Sequence, residues 1–151
     1  MAQALVHDGC MTPLPPTAAP ASVPAHPTPP RALHGLRVLD FSIMLAGPYC
    51  ARLLADMGAE VIKIEPPEGD DMRLRLPLRA DDTGQRHSTY FGQLNAGKRS
   101  LALDLKHPQA LALVKQLAAQ ADVVVENFRP GVMARLGLGA VELCALNQRL
   151  V

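Results

Sequence analysis

Three consecutive β-branched residues, Val123-Val124-Val125, run straight into Glu126-Asn127-Phe128-Arg129-Pro130-Gly131. This junction restricts the fold more than any other stretch. A short β-branched run bounded by a turn reads as a buried strand. Pro130 presets φ for a first helical turn, and Gly131 permits close backbone approach. A strand that hands over to a helix in this way suits an open α/β sheet. In such sheets ligands settle in crevices outside the carboxyl ends of the strands. There Phe128 offers a stacking face and Arg129 a guanidinium, a pair suited to an adenine ring and a phosphate. An ordinary strand-to-helix turn with no ligand is the other reading of the same residues.

The pattern of strand, link and helix recurs upstream. Arg37 to Phe41 reads as a first strand, followed by a loop from Ser42 to Gly47. A helix from Pro48 to about Met57 carries Cys50, Leu53, Leu54 and Met57 at helical spacing, and Gly58 stops it. Glu60 to Ile64 is a second strand, completing a right-handed βαβ unit. Its first link lacks the GxGxxG of a dinucleotide turn, which argues against a nicotinamide dehydrogenase. Glu65-Pro66-Pro67 then opens a long loop to about Ser88, and such loops are often functional. Tyr90-Phe91 begins a short ordered piece. Arg99 to Leu105 alternates, with Leu101, Leu103 and Leu105 on one side, as in a half-buried strand. His107-Pro108 starts a helix to about Ala121 with an apolar stripe of Leu111, Val114, Leu117, Ala118 and Ala121. A second βαβ unit closes on Val123, and its sequence places Lys106 at the end of a strand that neighbours Val123 to Glu126. A short helix from Gly131 to Leu136, another from Ala140 to Asn147 and the start of a strand at Leu150-Val151 follow. The expected fold class is α/β, a Rossmann-like open parallel sheet of βαβ units, incomplete at the carboxyl end.

The first 32 residues stand apart. They hold eight of the fourteen prolines, among Ala, Thr and Ser. Proline removes backbone donors and blocks helix and sheet, so a disordered or polyproline-like extension is expected. The domain is expected over residues 33–151. A net charge of +1 supplies no field to draw nucleic acid or an anionic membrane, and no apolar run has the length of a membrane span. Arg73, Arg75, Arg79, Lys98, Arg99 and Lys106 cluster locally and could serve a phosphorylated ligand, although a solvated loop face is the expectation for Arg73 to Arg79. Three widely spaced cysteines, Cys10, Cys50 and Cys144, form no framework or zinc pattern and point to a reducing, cytoplasmic compartment. His34, His87 and His107 have no partner spacing of a metal site or triad. Asp40 and Asp104 are expected on strands as structural residues, and Asp70, Asp71, Asp81 and Asp82 solvated on the long loop. Glu126 is expected to orient backbone or arginine partners.

The run from Glu126 to Gly131, followed by Met133-Ala134-Arg135-Leu136-Gly137-Leu138-Gly139, resembles the ENFRPG…RLGLG signature of family III CoA-transferases. That family includes formyl-CoA:oxalate and carnitine CoA-transferases and, as a close branch, α-methylacyl-CoA racemases. Three more stretches match in order: Leu36 to Phe41 with Ala46-Gly47-Pro48, then Leu54 to Glu65, then Asn95 to Lys106. The resemblance covers roughly residues 33 to 151.

The resemblance implies an enzyme that moves CoA between an acyl-CoA thioester and a carboxylic acid, here as its amino-terminal, CoA-binding part. It implies coenzyme A as substrate and carrier, no metal, and an interlocked homodimer in the full-length form. It places nucleotide contacts at Asn127, Phe128, Arg129 and Arg135, with further contacts at Leu103, Lys106, Met44 and Leu45. Some relatives carry an Arg where this chain has Pro66, which leaves that contact in doubt. The family nucleophile is an Asp carboxylate that attacks the thioester to form a mixed anhydride and then carries CoA as an aspartyl thioester. In family order it lies beyond Val151, so no catalytic residue is expected here. Two alternatives stay open: a racemase-like enzyme, against which Asn127 speaks, and a non-catalytic, truncated CoA-binding polypeptide.

Overall fold

The computed structural model describes residues 31–151. The expected Pro-rich extension falls on residues outside these, apart from Arg31 and Ala32. A parallel sheet is built from β1 (Arg37–Asp40), β2 (Glu60–Glu65), β5 (Arg99–Ala102) and β6 (Val123–Val125), in the order β5-β2-β1-β6. The chain winds outward from β1 through β2 to β5, then returns to the other side of β1 as β6. That reversal puts a topological switch point between β1 and β6. It also corrects the expected neighbour of β5: the strand leading to Lys106 pairs with β2, at the opposite edge from β6.

Side chains alternate along each strand, so the two faces of the sheet differ in chemistry. One face carries Leu39, Phe41, Ile64 and, half-buried, Ile62, Leu101 and Leu103. α3 (Pro108–Ala118) covers it with Val114 and Ala118, together with Met133 of α4 (Val132–Arg135) and Leu143 of α5 (Ala140–Leu146). Each large side chain buried this way contributes roughly 1.5–3 kcal/mol. The helix at α3 begins as its sequence dictates, with Pro108 in the first turn and the His107 ring accepting from the Gln109 N–H.

The other face is apolar at the amino-terminal half of its central strands, through Val38 and Val61, and along β6, through Val123 and Val125. α1 (Ala46–Asp56) packs there on Gly47, Pro48, Ala51 and Ala55. This corrects the expected stripe: Cys50, Leu53 and Met57 are exposed, and only Leu54 of that set is half-buried. Small residues let the helix sit close to the sheet, which turns its larger residues outward. The carboxyl-terminal half of the same face is charged. Asp40, Lys63 and Ser100 are paired in register across β1, β2 and β5, with Glu65 two residues beyond Lys63.

The segment expected as a long loop is folded over that charged half. It holds a 3-10 turn (Asp71–Leu74) and an antiparallel hairpin of β3 (Leu78–Ala80) with β4 (Arg86–Ser88), and α2 (Thr89–Asn95) follows at the ordered piece expected to begin with Tyr90-Phe91. The hairpin strands are three residues each, too short for period-2 alternation to register. β6 is likewise half-buried rather than buried, because it lies beside only one strand. Val151 runs along its outer side, accepting from the Val124 N–H at 2.8 Å and donating to the Asp122 carbonyl at 3.1 Å. Leu150-Val151, expected to start a strand, is in no strand and makes only these backbone bonds to β6 and Asp122. No helix among the described residues is long and apolar enough to cross a membrane.

Candidate functional site

The charged half-face is where the site's framework is built. Lys63 is buried and donates to the Ser42 carbonyl at 2.8 Å and to Asp70 at 2.9 Å. Contrary to the expectation of a solvated carboxylate, Asp70 is buried, and this pairing satisfies its charge. Lys98, also buried, donates to Asp40 at 2.7 Å and to the Pro48 carbonyl and Asn95 Oδ1, each at 2.8 Å. Burial pushes the Lys98 ammonium down from its ordinary range, with Asp40 opposing. Arg73 grips Glu65 through two bonds of 2.7 and 2.6 Å and lies 4.0 Å over the Phe91 ring. Burial pushes the Glu65 carboxyl up, but Arg73, Ser100 and the Asp70 N–H outweigh it and hold it down at about 2.

These bonds disperse the expected basic cluster. Lys98 is spent inside the protein and Arg73, partly exposed, on Glu65, and Arg99 pairs with Glu60 where β2 and β5 begin, at the end of the sheet away from the strand carboxyl termini. Asp104 lies past the end of β5 rather than on a strand, and its carboxylate accepts from the Lys106 N–H. Glu126 acts as expected on backbone, accepting from the Phe128 N–H at 2.8 Å.

What the framework holds in place is a cleft of about 510 Å³ at the carboxyl ends of the strands. Each strand end contributes: Phe41, Ile43 and Met44 after β1, Ile64 to Glu68 at the end of β2, Leu103 to Lys106 after β5, and Phe128 after β6. Asp70, Asp71 and Met72 close one side, and Leu136, next to Arg135, lines another. Size and largely apolar walls with a few polar groups fit a small-molecule site. Of the expected contact residues, Met44, Leu103, Lys106 and Phe128 line the cleft; Leu45, Asn127, Arg129 and Arg135 do not. Arg129 and Arg135 are exposed, on the segment and on α4 that directly follow Phe128. Pro66 lines the wall.

Asn127 occupies both ends of its carboxamide on the loop after β1. Oδ1 accepts from the Ile43 N–H at 2.8 Å, and Nδ2 donates to the Ile43 carbonyl at 2.8 Å. The next residue, Met44, has φ of 66°, in the left-handed region. Phe41, Ile64, Pro67, Met72 and Leu136 join the site without any expectation from the sequence. The rule that crevices form beyond strand ends could have found Phe41 and Ile64; nothing local signals Met72 or Leu136. Among the described residues no three His, Cys, Asp or Glu side chains gather as a metal-ligand set.

Comparison with known proteins gives concordant matches. The sequence profile of CoA-transferase family III matches residues 33–151. The succinyl-CoA–D-citramalate CoA-transferase of Chloroflexus aurantiacus is 47% identical over 124 residues, covering 82% of this chain and 30% of that protein. The formyl-CoA:oxalate CoA-transferase of Afipia carboxidovorans is 42% identical over 122 residues, covering 80% and 28%. A solved CaiB/BaiF family protein from Brucella suis superposes with a TM-score of 0.73 at 42% identity, over 78% of this chain and 31% of that one. The Rv3272 protein of Mycobacterium tuberculosis, in its orthorhombic form, gives 0.75 at 43% identity, over 82% and 34%. The chain spans about 30% of the length of the curated relatives it matches.

Proposed function

The chain belongs to CoA-transferase family III, and on that premise we propose that it forms the CoA-binding part of an enzyme that moves CoA between an acyl-CoA thioester and a carboxylic acid. The observation that carries this reading is the cleft at the switch point, into which β5 delivers Lys106 and β6 delivers Phe128. Phe128 provides a face for the adenine, and the apolar wall of Phe41, Ile64 and Leu103 suits the uncharged parts of CoA. Lys106, Arg129 and Arg135 are the cations assigned to its phosphates. The Chloroflexus and Afipia relatives are a citramalate and an oxalate CoA-transferase, which supports transfer between acids over racemisation.

No aspartate among the described residues is assigned the role of nucleophile. Asp40 and Asp70 are buried and ion-paired, which disfavours attack on a thioester. Cys50 and Cys144 carry free, exposed thiols, which supports a reducing, cytoplasmic setting. An interlocked homodimer is assigned to the full-length form, supported by the exposed apolar residues of α1.

Calorimetric titration with CoA tests the reading. Arg135→Ala and Lys106→Ala each remove a charge-assisted contact, and each is expected to weaken CoA binding by roughly 1.5–3 kcal/mol where the contact is well formed. The unmutated chain is expected to bind CoA and to show no turnover with formyl-, succinyl- or acetyl-CoA donors. No binding at millimolar CoA would overturn the assignment of the cleft. Turnover abolished by substituting one of the chain's own aspartates would overturn the assignment of the nucleophile.

A further inference from the structure

Asn127 follows β6 and is expected among the nucleotide contacts, yet its carboxamide faces the chain itself. Across 84 residues of sequence, Oδ1 and Nδ2 bind the N–H and the C=O of the same residue, Ile43. This satisfies the Ile43 backbone as a strand partner would, although Ile43 lies in no strand. The neighbouring Met44 is the only non-glycine residue among those described with positive φ. A side chain in that region costs roughly 1–2 kcal/mol and persists where its surroundings over-determine it. The surroundings do so here. Asp40 accepts from the Ser42 N–H, Lys63 donates to the Ser42 carbonyl, and Asn127 holds both polar groups of Ile43. The first turn of α1 also closes on both the loop and Asn127: a Cβ on Gly47 would lie 2.2 Å from Ser42 Cβ and 3.2 Å from Asn127 Cγ. Ile43 and Met44, the residues so constrained, both line the cleft.

We propose that Asn127 is a positioning residue that pins the loop between β1 and α1, holds Met44 in its left-handed conformation as part of the cleft wall, and acts on bound CoA through that loop rather than by touching it. The consequence for CoA rests on the function proposed above; the clamp itself does not.

The two routes by which Asn127 can matter separate in a double-mutant cycle. Glycine adopts positive φ without penalty. In the Met44→Gly background the loop therefore needs less holding, and whatever the Met44 side chain itself contributes to binding cancels within the cycle. CoA dissociation constants are measured for the unmutated chain, Asn127→Ala, Met44→Gly and the double variant. Asn127→Ala is expected to weaken binding on the order of tenfold, the factor to which a left-handed penalty converts. In the Met44→Gly background the same substitution is expected to cost only a small part of that. An equal loss in both backgrounds means that Asn127 touches CoA directly and overturns the proposal.

Amide hydrogen exchange of the free protein supplies a readout without CoA. The Ile43 N–H is expected to lose protection in Asn127→Ala and to keep it in Asn127→Asp, which retains the acceptor but cannot donate to the Ile43 carbonyl. Ile43 exchange unchanged in a folded Asn127→Ala overturns the clamp. Should Asn127→Ala not fold, Asn127→Asp decides, because a folded variant with an unprotected Ile43 N–H overturns it equally. Failure of the unmutated chain to bind CoA would overturn the proposed function, and the exchange measurement would then settle the clamp alone.

Discussion

Lys63 sits in the interior of a parallel strand with 2% of its side chain exposed, facing Asp70 at 5%. Removing one member of a buried ion pair leaves the other charged and unpaired, which typically costs about 3–5 kcal/mol. Lys63→Met is therefore expected to lower the urea midpoint by that much stability. Lys63→Met with Asp70→Leu should recover part of it, since the orphaned carboxylate is gone. An unchanged midpoint in the single variant would mean the pair is not part of the folded framework. Glu65 makes a pH-dependent contribution of definite sign. Its folded value of about 2 lies below its ordinary 4.5. The stabilisation is fully present above pH 4.5 and is lost as pH falls toward 2. Thermal melts across that window should show the unmutated chain losing more stability than Glu65→Gln; parallel pH profiles would contradict the Arg73-Glu65-Ser100 arrangement.

At the scale of elements, α1 and the loop before it behave as one piece. Gly47 opens the buried side of the helix, where an added Cβ would meet the loop at Ser42 and the segment after β6 at Asn127. A methyl group at Gly47 has no room beside Ser42 Cβ, so either the loop or the first turn must move. Gly47→Ala is expected to cost roughly 1–3 kcal/mol by overpacking and to weaken CoA binding at the same time. Melting and titration of one preparation check both. A loss of stability with CoA affinity intact would mean that the loop absorbs the methyl without reshaping the cleft. The buried side of α1 departs from the expected one for a related reason. Periodicity in Cys50, Leu53, Leu54 and Met57 identifies a helix correctly but cannot say which side meets the sheet. The side with the smaller residues, Gly47, Ala51 and Ala55, faces inward because it allows closer approach.

For the whole molecule, that choice leaves Tyr49 and Leu53 of α1 and Met57 just past its end exposed at 52%, 42% and 44%, one turn apart, with Leu45 at 52% before the helix. An apolar row of this kind favours association. The chain is expected to self-associate at micromolar concentration and above, and Leu53→Glu to shift it toward monomer, as read by sedimentation velocity. A single monomer species at every concentration for the unmutated chain would rule this out.

The order and type of the main elements were legible along the sequence, because each depends on near neighbours. β-branched and alternating runs mark β1, β2, β5 and β6, proline and glycine mark the starts and stops of α1 and α3, and parallel crossovers follow from strand-helix-strand spacing. The motif running from Glu126 to Gly139 placed a crevice beyond the strand ends, where the cleft lies, and of the eight contact residues its resemblance implies, Phe128, Leu103, Lys106 and Met44 line that cleft while Leu45, Asn127, Arg129 and Arg135 do not. Tertiary structure alone decided that β5 and β6 occupy opposite edges. It also decided that Lys98, Arg73 and Asp70 are spent in ion pairs, and that Asn127 spends its amide on Ile43. Lys98 finds Asp40 across 58 residues of sequence, and Asn127 finds Ile43 across 84. The fate of a charged or amide side chain is set by which donors and acceptors the fold brings within about 3 Å, and local pattern carries no record of that.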